Sequence, residues 1–145
     1  MRFLAVDLGT RRIGLAVCNP EETLVVGAGV IERAAEDDPL PAVAAAARER
    51  EAERVVVGLP LNMDGSYGPK AAEAKAFSER LREALGIPVL LHDERLSSAA
   101  AEERLRGVEE MTRARKRSHT NQVAAQVILE SYLASKRTGP GKRHP

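Results

Sequence analysis

The feature that most constrains this chain is an acidic residue at the end of an apolar strand. Phe3-Leu4-Ala5-Val6 is a near-continuous apolar run, Asp7 follows it, and Gly9-Thr10-Arg11-Arg12 carries turn chemistry before Ile13-Gly14-Leu15-Ala16-Val17-Cys18 returns as a second apolar segment. Such a run reads as a central buried strand, and its return makes a hairpin. The placement exposes the Asp7 carboxylate at the lip of a sheet; a turn-initiating Asp is the alternative.

Strands come first and helices are interleaved later, with no internal repeat or low-complexity linker. Val25 to Ile31 is a third strand weakened by Gly27 and Gly29, and an Ala-rich helix runs from Pro39 to about Glu51. Val55 to Leu61 reads as a buried strand. A loop through Asn62-Met63-Asp64-Gly65 leads to a helix with Ala74, Phe77, Leu81 and Ala84 on one face. Pro88 to Leu91 is the next strand, with Asp93-Glu94-Arg95 just past it, and Ser97 or Ser98 can cap a short helix to about Arg106. The basic segment that follows reads as a mobile loop. A last helix from about Thr120 to Ser135 carries Ala124, Ala125, Ile128 and Tyr132 on one stripe.

At 145 residues the chain is long enough for one core, and residues 1–135 read as one domain with residues 136–145 as a basic flexible tail. No stretch approaches the ~18 apolar residues of a membrane span, and Asp7 interrupts the opening too early for a signal peptide, so a cytoplasmic protein is expected. The single cysteine, Cys18, excludes an internal disulfide and a multi-cysteine zinc site, and reads as a small apolar strand residue.

The net charge of +1 conceals a segregation. Residues 1–110 carry 14 Lys/Arg against 20 Asp/Glu, whereas residues 111–145 carry 8 against one. Arg113, Arg115, Lys116 and Arg117 form the densest cluster, as expected of a surface that binds a phosphate backbone; a solvated basic loop is the alternative. With 3% aromatic residues and no Trp, base stacking cannot be a large part of any nucleic-acid contact.

Glu94 repeats the pattern of Asp7 at the end of a different strand, beside Asp93 and Arg95; a surface acid paired to arginine is the alternative. Two acids at the ends of buried strands can converge, and they repel unless a divalent cation joins them. Hard oxygen donors suit Mg²⁺ or Mn²⁺, and the absence of a nearby His/Cys cluster disfavours zinc.

Four stretches carry a resemblance. Asp7-Leu8-Gly9-Thr10-Arg11-Arg12-Ile13-Gly14-Leu15-Ala16, Gly58-Leu59-Pro60-Leu61-Asn62-Met63-Asp64-Gly65, Asp93-Glu94-Arg95-Leu96-Ser97-Ser98, and Ala124-Ala125 before Ile128-Leu129-Glu130-Ser131-Tyr132-Leu133 closely resemble the YqgF (RuvX) nuclease family, in order, from Met1 to about Leu133. The resemblance implies an α/β, ribonuclease H-like fold: a five-stranded mixed sheet flanked by helices, its first three strands antiparallel and the others parallel. It implies a metal-dependent nuclease acting on structured nucleic acid, processing the 5′ end of precursor 16S rRNA in bacteria. A Holliday-junction or branched-DNA resolvase is the alternative, because the family resembles RuvC.

Carried over residue by residue, the family's site falls on Asp7, Glu94 and Asn121. Asn121 stands where the family has Asp, and offers a neutral carbonyl oxygen in place of a carboxylate, so metal affinity should suffer. No Asp occurs after Asp93, and Glu130 lies nine residues further along the helix on its opposite side. Asn121 shares a stripe with Ala125 and Ile128, which favours a weakened site over a lost one; helix capping is its other reading. His119 reads as a loop histidine and His92 as a strand-end packing residue. The Gly58–Gly65 stretch shapes the cleft floor, with Asp64 a turn residue. Arg11, Arg12, Arg113, Arg115, Lys116 and Arg117 are the candidate phosphate contacts. Both a monomer and a homodimer are compatible: two symmetric cuts need a dimer, and trimming of one strand does not. Competing functions are a noncatalytic nucleic-acid-binding protein and a nucleotide-dependent phosphotransferase, the latter disfavoured because only one lobe fits this length.

Overall fold

The computed structural model describes residues 1–34, 36–96 and 113–138, with side chains described for these except Leu96, residues 113–121 and residues 137–138. In chain order the elements are β1 (Phe3–Leu8), β2 (Arg12–Cys18), β3 (Val25–Glu32), α1 (Leu40–Glu49), β4 (Arg54–Leu59), α2 (Pro69–Leu85), β5 (Val89–Asp93), a 3₁₀ turn (Glu94–Leu96) and α3 (Arg113–Thr138). The strands form one sheet in the order β3-β2-β1-β4-β5. β1 pairs antiparallel with β2, and β2 with β3, while β4 runs parallel to both β1 and β5. This is the mixed topology that the resemblance implies.

Period-two alternation sends the central strands' side chains into two cores. Leu4, Val6, Val55, Val57 and Leu59 pack with Val43, Ala44 and Ala47 of α1 and Ala71, Ala74, Phe77 and Leu81 of α2. Phe3, Ala5, Ala16, Cys18 and Val56 pack with Ala125, Ile128, Leu129 and Leu133 of α3 on the opposite face. Burial of each large aliphatic side chain contributes roughly 1.5–3 kcal/mol, and among the described residues those of α3 that do so, Ile128, Leu129 and Leu133, lie in its second half. Cys18 is buried there, as its sequence setting indicates.

Helix ends follow local chemistry. Glu51, at φ 55°, takes the chain out of α1, while α2 starts at Pro69 and stops where Gly86 adopts φ 70° and donates its N–H to the Arg82 carbonyl at 2.8 Å. Ala84, expected on the buried face of α2, is exposed, because the stripe continues from Leu81 to the half-buried Leu85.

The largest departure concerns the basic segment. Arg113, Arg115, Lys116 and Arg117 lie in the opening turns of α3, not in a loop, and the helix starts seven residues earlier than its apolar stripe suggests. Ala, Arg and Lys are strong helix formers and no Gly or Pro stands between Gly107 and Gly139, so propensity carries the helix beyond its buried face. The helix also runs on to Thr138. Lys136, at the start of the expected tail, is held in it by Glu22 at 2.9 Å and lies over the Phe3 ring at 4.8 Å. The short helix expected to run to about Arg106, and residues 139–145, lie outside the described residues. Among those described, no helix is long and apolar enough to cross a membrane.

Candidate active site

Strand alternation decides which acids meet. Phe3 and Ala5 of β1 face α3, so Asp7 is on that face too. On β4, Val56 and Gly58 share the face; on β5, Leu90 and His92 share it, and Glu94 follows two residues on. Asp7 lies one residue past the Val6–Val57 pair and Gly58 pairs with His92, which puts Asp7 and Glu94 at the same end of neighbouring tracks with β4 between them. Their backbones stand about two strand spacings, roughly 10 Å, apart.

Gly58 lets the Glu94 side chain reach into that gap. A Cβ on Gly58 would sit 2.7 Å from Glu94 Oε2, 2.9 Å from Glu94 Cγ and 2.8 Å from Ile128 Cδ1. The Glu94 carboxylate therefore lies over the bare backbone of β4, toward Asp7 and under α3. Burial first, and then the charges of Asp7 and Asp93, push its pKa from the usual 4.5 to about 7.

Asp93 alternates away and does different work. Arg95 clasps it with both Nε (3.0 Å) and Nη2 (2.7 Å) to Oδ2, holding its carboxyl below the usual range, and donates Nη1 to the Met63 carbonyl at 3.2 Å. This ties the 62–66 loop to the end of β5. Within that loop Asp64 accepts from the Ser66 N–H and hydroxyl, so it is a turn residue.

The turn after Asp7 is clamped from the other side. The almost fully buried Arg33 side chain donates to the Thr10 carbonyl at 2.8 Å and faces Glu73 at 3.6 Å, while the Lys70 ammonium donates to the Thr10 hydroxyl. Arg11 is exposed at this turn, and Arg12 is paired with Glu32 at 3.0 Å. Sequence reasoning missed Arg33 and Lys70, whose proximity to Thr10 arises only when the sheet and α2 are folded together.

Helix α3 roofs the site. His92, buried beneath it, hydrogen-bonds through Nε2 to the Ser131 hydroxyl at 2.8 Å and packs edge-on to Tyr132; burial holds its pKa below the usual value, so it is neutral packing. Gln122 Oε1 accepts from the Gly29 N–H of β3 at 2.7 Å, a contact that sequence reasoning also missed. Position 121 is helical, one turn before the buried Ala125. The side chains of Asn121, His119, Arg113, Arg115, Lys116 and Arg117 lie outside the described residues. Among the described residues, no group of three or more His, Cys, Asp or Glu is gathered to hold a metal ion.

Comparison with known proteins fits this geometry. Residues 1–135 match the family described as "RuvX: Holliday junction resolvase". The chain belongs to the RuvX family. A RuvX relative from Anaeromyxobacter sp. (strain K), named "Putative pre-16S rRNA nuclease", is 47% identical over 133 residues, covering 92% of this chain and 96% of its own. One from Myxococcus xanthus (strain DK1622), with the same name, is 42% identical over 145 residues, covering 100% and 95%. Among solved structures, T. thermophilus RuvC in complex with a Holliday junction substrate superposes with a TM-score of 0.62 at 18% identity, covering 96% of each chain. That likeness establishes the ribonuclease H-like fold for this RuvX chain.

Proposed function

We propose that this chain is a divalent-metal-dependent endonuclease that hydrolyses phosphodiester bonds in structured nucleic acid, with the 5′ end of precursor 16S rRNA as its substrate in the cytoplasm. The carrying observation is the approach of Glu94 toward Asp7 over Gly58, with a pKa raised to about 7. A carboxylate pushed that far toward protonation, by burial first and then by the charge of a second one, fits a cation of hard-oxygen preference, Mg²⁺ or Mn²⁺. Such an ion supplies an activated water and positive charge for the phosphorus-centred transition state.

In this reading Asp7 at the end of β1 and Glu94 just past β5 would hold the ion, and Asn121 would offer a carbonyl oxygen from α3. Below about pH 7 a proton competes for Glu94; above it the carboxylate is available as a ligand. Arg11 and Arg12 at the first turn, and Arg113, Arg115, Lys116 and Arg117 at the start of α3, bind the phosphate backbone. Residues 1–135 form the nuclease domain, and the basic end from residue 136 adds sequence-independent attraction.

The relatives' name supports rRNA, and the family's description supports branched DNA as the second reading. Purified protein incubated with precursor 16S 5′ fragments and with four-way DNA junctions, in Mn²⁺, Mg²⁺ or chelator, tests both. Metal-dependent cleavage of the rRNA fragment by a monomer is the expected result. Paired symmetric cuts in the junction by a dimer would favour the resolvase, and no metal-dependent cleavage of either would overturn the nuclease reading.

A further inference from the structure

We infer that Gln122 is a positioning residue: its side-chain amide locks the site end of helix α3 onto a bulge in β3 and so sets where position 121 stands relative to Asp7 and Glu94. The inference rests on the functional reading above and deepens it.

The bulge is built for this contact. Leu15 pairs with Gly29 and Ala16 with Gly27, so Ala28 is an extra residue and the register of β3 shifts there. A bulge turns a peptide out of the ladder and frees its groups for other partners. Here the Gly29 N–H, at φ 100°, is taken by Gln122 Oε1 at 2.7 Å. Gly27 makes the room: a Cβ there would lie 2.4 Å from Gln122 Cδ and 2.5 Å from its Cγ. Two glycines that weaken the strand thus fit one glutamine from 93 residues away.

The location gives the contact its consequence. Among the described residues, the apolar anchors of α3, Ala125, Ile128, Leu129 and Leu133, all lie on the C-terminal side of position 122. Further polar ties, Ser131 to His92 and Lys136 to Glu22, lie further still from position 121. Among the described residues, Gln122 is the tie next to the proposed third ligand position. A side chain reaches about 5–6 Å from a helix axis, so a rotation of ~10° moves its tip by about 1 Å. Displacement on that scale costs on the order of 100-fold where reacting groups must be aligned.

The test compares Gln122→Leu, which keeps bulk and loses the acceptor, with Gln122→Glu, which keeps an acceptor, and with Gly27→Ala, which expels the side chain from its seat. Each is measured for kcat and KM on the substrate that the wild-type protein cleaves, for Mn²⁺ affinity by calorimetry without substrate, and for Tm. Expected for Gln122→Leu and Gly27→Ala are a kcat at least ~10-fold lower with KM little changed and a Mn²⁺ affinity reduced ~10-fold. Combining the two should add little, because both break one contact, and Gln122→Glu should retain both properties. Wild-type kcat and Mn²⁺ affinity in Gln122→Leu, whatever its Tm, would overturn the inference, as would a Gln122→Glu variant as impaired as Gln122→Leu. A wild-type protein that neither binds Mn²⁺ nor cleaves would indict the functional reading itself, which separates the two failures.

Discussion

Glu94 lies over Gly58 so closely that the strand beneath has no room for a methyl group: the carboxylate oxygen is 2.7 Å from where a Cβ would stand. Gly58→Ala should therefore displace the Glu94 carboxylate while straining Ile128 of α3 as well. Overpacking of this kind costs about 1–3 kcal/mol, against a loss of cleavage of ~100-fold or more. Chemical denaturation alongside turnover measures both, and unchanged turnover would separate Glu94 from the chemistry.

Asp7→Asn removes one of the two converging charges and leaves the cationic rim untouched. Cleavage should be abolished while affinity for nucleic acid changes by less than ~3-fold. A binding assay in chelator and a cleavage assay in Mn²⁺ check the two halves, and retained turnover would dismiss Asp7 as a ligand.

In chelator, Glu94 makes stability depend on pH with a definite sign. Its pKa is about 7 in the folded chain against an ordinary 4.5, so between those values the folded state holds the extra proton and loses stability as pH rises. Glu94→Gln lacks that penalty. It should match wild type near about pH 4 and exceed it by roughly 3 kcal/mol above about pH 8. Denaturation curves for both proteins across that range decide the matter; a gap that widens toward acid would contradict the burial of Glu94.

Asn121→Asp restores a charged oxygen at the helical position of the site. Mn²⁺ half-saturation should fall ~10-fold or more, with cleavage at limiting metal rising in step. Metal titrations of the two proteins provide the comparison, and an unchanged midpoint would place residue 121 outside the ligand set.

Neutralising Arg113, Arg115, Lys116 and Arg117 together should weaken nucleic-acid binding for every sequence. The slope of log affinity against log salt should drop by up to about 3 to 4, in proportion to the number of phosphates that these side chains neutralise. An unaltered slope would make these residues a solvated helix surface.

Much of the frame was legible because it depends on local periodicity. The apolar run from Phe3 to Val6, and its counterparts at Val55 and Val89, announce buried strands, and their period of two carries Asp7 and Glu94 to one face. What escaped depends on competing or distant terms. The cluster Arg113–Arg117 has the charge of a solvated loop, yet helix propensity prevails in a stretch without Gly or Pro. Gly27 and Gly29 look like defects in a strand until Gln122 is brought across from α3. Thr10 gives no hint of Arg33 and Lys70, because only the folded hairpin and α2 bring them to it. Asp93 and Glu94 are neighbours in sequence with opposite fates, one clasped by Arg95 and the other turned beneath α3.

Because α3 opens on Arg113, Arg115, Lys116 and Arg117 with no acidic residue in its first turn, its cations crowd the positive pole of the helix dipole. Each works against the axis it belongs to, and a polyanion laid across that pole relieves the conflict. Docking a nucleic-acid strand should therefore raise the helix's own stability, and by linkage the roof over the acids becomes firmest when substrate is in place.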